Sequence, residues 1–385
     1  MTDSRPDVYQ YYDQLMKHLN GADTRLFDGK LTKFIYPRQF EIHLPSNHKK
    51  ACDCHCPHCA GSLFDKTLGN WEISCLELLD NLKGAIPYHI YGGAYTEPLL
   101  NPYFMAFMAM TKKHGNHFGI HTNGTHLNDL ESNYGLLTEL NRLSTDDVDY
   151  LSISIDAGLP WSWGVTKGTN KRLVFGEILE GTRKACEIRK KSGKGHAIRL
   201  CYLISPESGN INDFNAIVSV AKSLQVDSLR FSIPFGNYNQ SFEEIRKYKE
   251  TVETPGNELY ETLLEPILSK SKDEKPYIFY TGPEYTDIDK YNFTKCFYDL
   301  YQITAGADGY YYKCSTVATP TGKQCRVGKV SPDLESFHKV LRRNRSLTWD
   351  CKKMCFDRGL RGNRMALEIN TILNAKVQNE RGYLG

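Results

Sequence analysis

The sequence contains no apolar run of about 18 residues or more, which is what a membrane-spanning helix needs. Its first residues, Met1-Thr2-Asp3-Ser4-Arg5-Pro6, lack the apolar core of a signal peptide, so the expected location is the cytoplasm. Charge of one sign is also missing. Lys and Arg number 48 against 45 Asp and Glu, a net +3, and so neither nucleic acid nor an anionic membrane is expected as a partner. The short basic runs Arg189-Lys190-Lys191 and Arg342-Arg343-Asn344-Arg345 read as solvated faces. There is no internal repeat and no low-complexity tract.

What the chain does have is cysteine, 12 in 385 residues. In a reducing compartment disulfides are not expected, and clustered thiols read as metal or redox ligands. The length allows one large domain and a smaller one. Short β-branched or aromatic runs (Phe40–Leu44, Tyr88–Tyr91, Phe118–Thr122, Leu151–Ile155, Ile198–Ile204, Leu229–Ile233) alternate with helical stretches such as Asn101–Lys113 and Asp213–Leu224. This alternation predicts parallel strands with right-handed crossovers: an α/β fold, an open (β/α)6 TIM-type barrel over residues 36–236. Residues 1–35 read as a helix and loop, and 237–290 as a helix plus linker. From 291 to 385, aromatic strands, turns and cysteines read as a small α+β domain.

Within the strands the alternation carries chemistry. Ser152, Ser154 and Asp156 share one side of the fourth run, opposite Leu151, Ile153 and Ile155. Arg199 and Cys201 oppose Ile198, Leu200 and Tyr202, and Arg230 opposes Leu229 and Phe231. A filled barrel favours apolar residues on both faces, so a polar face implies an interior that takes a polar ligand.

Cys52, Cys56 and Cys59 follow the first strand with the spacing C-x3-C-x2-C. Three thiolates on one loop suit three irons of a cubane and leave the fourth iron open. Zinc is the alternative for four cysteines this close. Cys54 breaks the spacing and reads as a structural thiol.

With these cysteines, the segment Ile90-Tyr91-Gly92-Gly93-Ala94-Tyr95-Thr96-Glu97-Pro98 makes the chain resemble the radical S-adenosylmethionine superfamily. It looks like that superfamily's Gly-Gly-Glu-Pro motif, with extra residues before Glu97. The resemblance implies a [4Fe–4S] cluster on Cys52, Cys56 and Cys59, with S-adenosylmethionine as cofactor. It places Gly92, Gly93 and Glu97 at the methionyl amino group, His58 beside adenine, and Asn123 at the ribose. It also brings Ser152, Ser154 and Asp156 to the cofactor, and Arg199 to its carboxylate.

The remaining cysteines, Cys296, Cys314, Cys325, Cys351 and Cys355, surround a hairpin pattern at Ile303–Lys313 with a Gly turn. They resemble the same superfamily's auxiliary-cluster modules, SPASM and its shortened form, twitch. Five thiols imply one auxiliary [4Fe–4S] cluster rather than two, with Cys296, Cys314, Cys351 and Cys355 as ligands. Zinc remains the alternative at this end too. Cys325 is then spare, and Cys325 or Cys201 is a candidate hydrogen donor to a substrate radical.

Together these features imply an enzyme that cleaves S-adenosylmethionine with electrons from a flavodoxin or ferredoxin. It would then oxidise a small polar substrate such as a sugar or cyclitol. No leader-peptide domain is expected ahead of the first strand, which leaves modification of a ribosomal peptide as the second reading. A non-catalytic zinc or iron–sulfur regulator is the third.

Overall fold

The computed structural model describes residues 36–47, 51–57, 59, 70–93, 95–169, 173–205, 208–233, 247, 250–251, 254–270, 275–281, 302–312 and 314–346. Its elements in order are β1 (Gln39–Ile42), α1 (Glu72–Leu82), β2 (Tyr88–Tyr91), α2 (Phe104–Lys113), β3 (His117–Thr122), α3 (Leu127–Tyr134), α4 (Leu136–Leu143), β4 (Tyr150–Ser154), α5 (Pro160–Thr166), α6 (Val174–Ser192), β5 (Ala197–Leu203), α7 (Ile211–Leu224) and β6 (Ser228–Ser232). Then come α8 (Thr254–Leu259), a π-helical turn, α9 (Glu265–Lys270), β7 (Tyr277–Thr281), β8 (Gln302–Ala305), β9 (Tyr310–Tyr312), β10 (Arg326–Lys329) and α10 (Leu334–Ser346).

Among the described residues ten strands form one sheet, in the order β10-β9-β8-β1-β2-β3-β4-β5-β6-β7. From β8 to β7 every pairing is parallel. The α/β partial barrel expected from the alternation is therefore present, with its strand boundaries shifted by a residue or two.

Alternation explains its layering. Phe40, Ile42, Phe118, Ile120, Leu151, Ile153, Ile198, Leu200, Leu229 and Phe231 face the helices and are completely buried. The helices present matching apolar rows, such as Phe104, Phe107 and Met108 on α2 and Phe214, Ile217 and Ala221 on α7. Local signals set their ends. Asn210 accepts from the backbone N–H of Asp213 at the start of α7, and Gly193 in the left-handed region closes α6.

Two features correct the sequence reading. The segment 237–290, read as helix plus linker, also supplies β7, which pairs with β6 from Ser228–Tyr277 to Ser232–Thr281. Its run Tyr277-Ile278-Phe279-Tyr280-Thr281 is a strand signal that the surrounding charge, Pro and Gly obscured. The hairpin is where it was expected, but it does not stand apart from the barrel. Its first strand, β8, pairs parallel with β1, from Gln39–Gln302 to Ile42–Ala305. No local pattern reports a pairing across such a sequence separation.

The hairpin turn locks onto the barrel. Trp71 Nε1 donates to Ala307 O at 3.1 Å, and a Cβ on Gly309 would lie 2.8 Å from the Trp71 ring. Gly309 also has φ +74°, in the region that favours glycine. Gly309→Ala is expected to lower the melting temperature more than Gly115→Ala. Gly115 shares the positive φ but has open space around it, so only the conformational cost of about 1–2 kcal/mol applies there. Equal shifts in thermal unfolding would show that the Trp71 contact carries no weight.

Candidate active site

The loop after β1 is held by three neighbouring segments. Ala51 O accepts the backbone N–H of both Ser46 and Glu97, at 3.0 and 2.9 Å, and His55 N donates to Lys167 O at 3.3 Å. Cys52, Cys54, Cys56 and Cys59 form no disulfide and are partly exposed. Asn123, at the end of β3, points its amide into them. Its Nδ2 lies 3.6 Å from Cys52 Sγ, 3.4 Å from Cys54 Sγ and 2.6 Å from Asp53 Oδ1. Soft thiolates on one loop with an amide donor at the sulfurs are a donor set that fits an iron–sulfur cluster.

The thiols are not equivalent. Hydrogen bonds to Cys52 and Cys56, together with burial, push the Cys54 thiol up. The bond from Cys54 and the nearby Lys167 ammonium draw Cys56 down, against burial. Cys56 is therefore the readier thiolate, and Cys54 is held as a protonated partner. Burial works against charge on Asp53, but bonds from His126, Asn123 and Thr125 hold its carboxyl well below the usual range.

Lys167 follows α5 and forms a buried ion pair with Asp156, Nζ to Oδ2 2.5 Å, with side chains 3% and 7% exposed. Asp156 adopts φ +55° just past β4, and its other oxygen accepts Leu203 N at 3.0 Å. Lys167 also donates to Ser154 O at 2.7 Å. Burial opposes charge on Lys167, but Asp156, Cys56 and Cys54 together hold its pKa above the usual lysine value.

The Gly-Gly loop after β2 is shaped by close backbone approach. Gly92 has φ +75°, and a Cβ on it would lie 2.3 Å from His121 O. A Cβ on Gly93 would lie 2.0 Å from His43 Nε2 and 2.4 Å from Glu41 Oε1. Glu97 turns its carboxylate inwards. It accepts from Thr122 Oγ1 at 2.7 Å, Asn123 N at 2.7 Å and Leu99 N at 3.2 Å. Burial pushes its pKa up to about 7 despite these donors.

Inside the barrel the polar faces of the strands come into register. His121 is level with Ser152, Ser152 with Arg199, Ser154 with Cys201, and Cys201 with Arg230. Ser152 Oγ lies 3.1 Å from Cys201 Sγ, His121 Nε2 2.8 Å from Tyr150 OH, and the Arg199 guanidinium 4.1 Å over the Tyr150 ring. On the β1 side, Glu41 bonds His43 Nε2 at 2.7 Å and Gln302 Nε2 at 2.6 Å. Burial, then Arg230, Arg199 and His43, draw the His121 ring down to about 3, so it is neutral.

Consistent with this geometry, residues 46–202 match the Radical SAM superfamily, whose members use a [4Fe–4S] cluster and S-adenosylmethionine. No curated protein matches it in sequence. Among solved structures it is similar to Streptococcus suis SuiB bound to S-adenosylmethionine, with TM-score 0.51 and 12% identity, covering 80% of this chain and 65% of that one. It is also similar to SuiB bound to its precursor peptide SuiA, with TM-score 0.55 and 12% identity, over 89% and 71% of the two chains. A third similar structure is anSMEcpe with bound AdoMet, with TM-score 0.55 and 15% identity, over 80% and 81%. At these identities the likeness is one of fold. The chain thus spans about two thirds of the SuiB length in the first of these.

The residues singled out from the radical SAM pattern fall as follows. Cys52, Cys56, Cys59, Gly92, Gly93, Asn123, Ser152, Ser154, Arg199 and Cys201 gather at the loop and on the concave face. Glu97 and Asp156 are brought to the same end, but their carboxylates brace backbone and Lys167. Cys325 lies before β10, 1% exposed and packed with Tyr312, Val317 and Ala318; burial pushes its thiol up to about 12. Cys314 packs against the same group. His58, Cys296, Cys351 and Cys355 lie outside the described residues.

Lys167, Asp53, Glu41, His43 and His121 were not singled out as site residues, whereas Arg230 was read on the polar face of its strand. The Glu41–His43 pair and His121 obey the same two-residue alternation that revealed Ser152 and Ser154. Lys167 sits in a loop and carries no such signal. Lys167→Met keeps the stem but strands a buried carboxylate, at an expected cost of about 3–5 kcal/mol in chemical denaturation. Adding Asp156→Asn is expected to recover most of that loss; a single-variant cost below about 1 kcal/mol would contradict the pairing.

Proposed function

We propose that this enzyme abstracts hydrogen from a small polar substrate held inside the barrel and oxidises it. The observation that carries the reading is the set of polar residues on the concave face: Gln302 and Glu41 on β8 and β1, then, beyond Ile90 of β2, His121, Ser152, Arg199 and Arg230 on β3 to β6. Bound at Cys52, Cys56 and Cys59, a [4Fe–4S] cluster supplies the electron that splits S-adenosylmethionine into methionine and a 5′-deoxyadenosyl radical.

The chain's own residues bind, orient and exclude water. The Gly93 backbone, free of Cβ, offers close approach at the cofactor's amino group, and Arg199 a two-pronged grip on its carboxylate. Asn123 holds the cysteine loop against the end of β3.

Cys296, Cys314, Cys351 and Cys355 would hold an auxiliary [4Fe–4S] cluster, which would supply an acceptor for the electron released as the substrate radical loses a proton to solvent. A flavodoxin or ferredoxin is assigned as reductant, and the cytoplasm as location. Among the described residues no helix is long and apolar enough to cross a membrane. Cys201, on the concave face beside Ser152, is the thiol placed to return hydrogen in a redox-neutral reaction, whereas Cys325 is enclosed by apolar side chains.

Peptide modification is the second reading, favoured by the fold shared with peptide-bound SuiB.

Anaerobic reconstitution is expected to load about eight irons per chain, four for each [4Fe–4S] cluster. Replacing Cys52, Cys56 and Cys59 together by Ala is expected to leave about four and to abolish 5′-deoxyadenosine formation. With C-deuterated candidates, deuterium is expected to appear in 5′-deoxyadenosine from a small polar compound. Transfer from peptides alone would overturn the substrate reading, and zinc in place of iron would overturn the cofactor reading.

A further inference from the structure

The barrel interior carries two guanidinium groups on neighbouring strands. Arg199 on β5 is level with Ser228, and Arg230 on β6 is level with Cys201, so Arg230 sits one pair nearer the cysteine loop. Both lie on the concave face. Arg199 is stacked on Tyr150. Arg230 is likewise half-buried; its Nε is enclosed without a hydrogen-bond partner, and among the described residues it has neither a ring contact nor an ion pair. A guanidinium withdrawn from water and left without an acceptor is costly.

Among the described residues no carboxylate is placed to satisfy it. Along the described strands, Glu41 is the one acidic residue on the concave face, and its two oxygens are taken by His43 and Gln302. Asp156 is committed to Lys167 and Leu203 N, and Glu97 to Thr122, Asn123 and Leu99. His121, close enough to feel both arginines, adds no charge but keeps a ring nitrogen at the Tyr150 hydroxyl. S-adenosylmethionine has a single carboxylate, which accounts for one guanidinium. The second calls for a second anion.

We infer that Arg230 receives an oxyanion of the substrate, a carboxylate or a phosphate group. A planar guanidinium grips either with two parallel hydrogen bonds. The inference rests on the radical reading in taking that anion to belong to the substrate. It narrows the substrate class from polar to anionic and sets one end of the molecule at β6. The C–H bond to be broken then lies between Arg230 and the cysteine loop.

The test uses the full-length, cluster-loaded, unreduced protein with S-adenosylmethionine present, so that nothing turns over. Binding of inorganic phosphate and of succinate is measured by anaerobic calorimetry on the wild type and on Arg230→Gln. At least one probe is expected to bind the wild type. Arg230→Gln is expected to weaken it by about tenfold or more while S-adenosylmethionine affinity stays within about twofold. Stronger binding of phosphate assigns a phosphoryl group, and stronger binding of succinate a carboxylate.

Because Arg230 has no ion pair to lose among the described residues, the variant's melting temperature is expected to be unchanged or raised without probe, and only the wild type is expected to be stabilised by it. The inference is overturned if neither probe binds the wild type, or if both bind the variant equally well. It is also overturned if the variant loses S-adenosylmethionine instead, which would make Arg230 a cofactor residue. Formation of 5′-deoxyadenosine by the dithionite-reduced wild type without probes tests the radical reading separately. Its formation with no anion bound fells this inference alone, and its absence with an anion bound fells that reading alone.

Discussion

Three thiols on one irregular loop have to stay close, partly accessible and free of disulfides, and this depends on what neighbouring segments bring to the loop. The structure supplies it from the ends of three strands. Glu97 after β2 ties the loop base to the turn at Thr122 and Asn123, Asn123 after β3 reaches the sulfurs, and Asp156 after β4 positions Lys167 against the Cys54–Cys56 stretch. Parallel strands make this possible, because their C-terminal ends all open at the same side. The barrel's topology and the cysteine loop are thus one arrangement.

Much of this was legible in the sequence wherever the signal was local. Cysteine spacing located the loop, and two-residue alternation located the concave residues Ser152, Ser154, Arg199 and Cys201. The alternation worked because each strand packs its apolar side on helices, so the opposite side is read by elimination. The same rule applied to β1 reveals Glu41 and His43, since Phe40 and Ile42 are the buried partners. What stayed hidden was non-local. The parallel pairing of β8 with β1 joins residues at opposite ends of the chain, and the Lys167–Asp156 pair depends on a left-handed turn at Asp156 that no side-chain pattern announces. In the Glu97 motif the residue type was visible, but its inward orientation depends on the turn after β3.

The electrostatics are arranged in two zones. Near the loop, each buried charge has a partner: Lys167 with Asp156, Asp53 with His126, Asn123 and Thr125. Deeper in the barrel, burial keeps His121 neutral, and the guanidinium groups outnumber the carboxylate of Glu41. Such a face does little for the stability of the empty protein, since desolvated cations weigh against it. A fold that keeps such a face is organised around what binds there.

The central claim is that Cys52, Cys56 and Cys59 hold a cluster with one iron open to S-adenosylmethionine. Electron paramagnetic resonance of the dithionite-reduced protein, recorded with and without S-adenosylmethionine, tests it most directly. The account predicts a signal from a reduced [4Fe–4S] cluster that changes shape and g-values when S-adenosylmethionine is added, and the loss of that response when the three cysteines are replaced together. A spectrum indifferent to S-adenosylmethionine, or a response that survives the replacement, would contradict it.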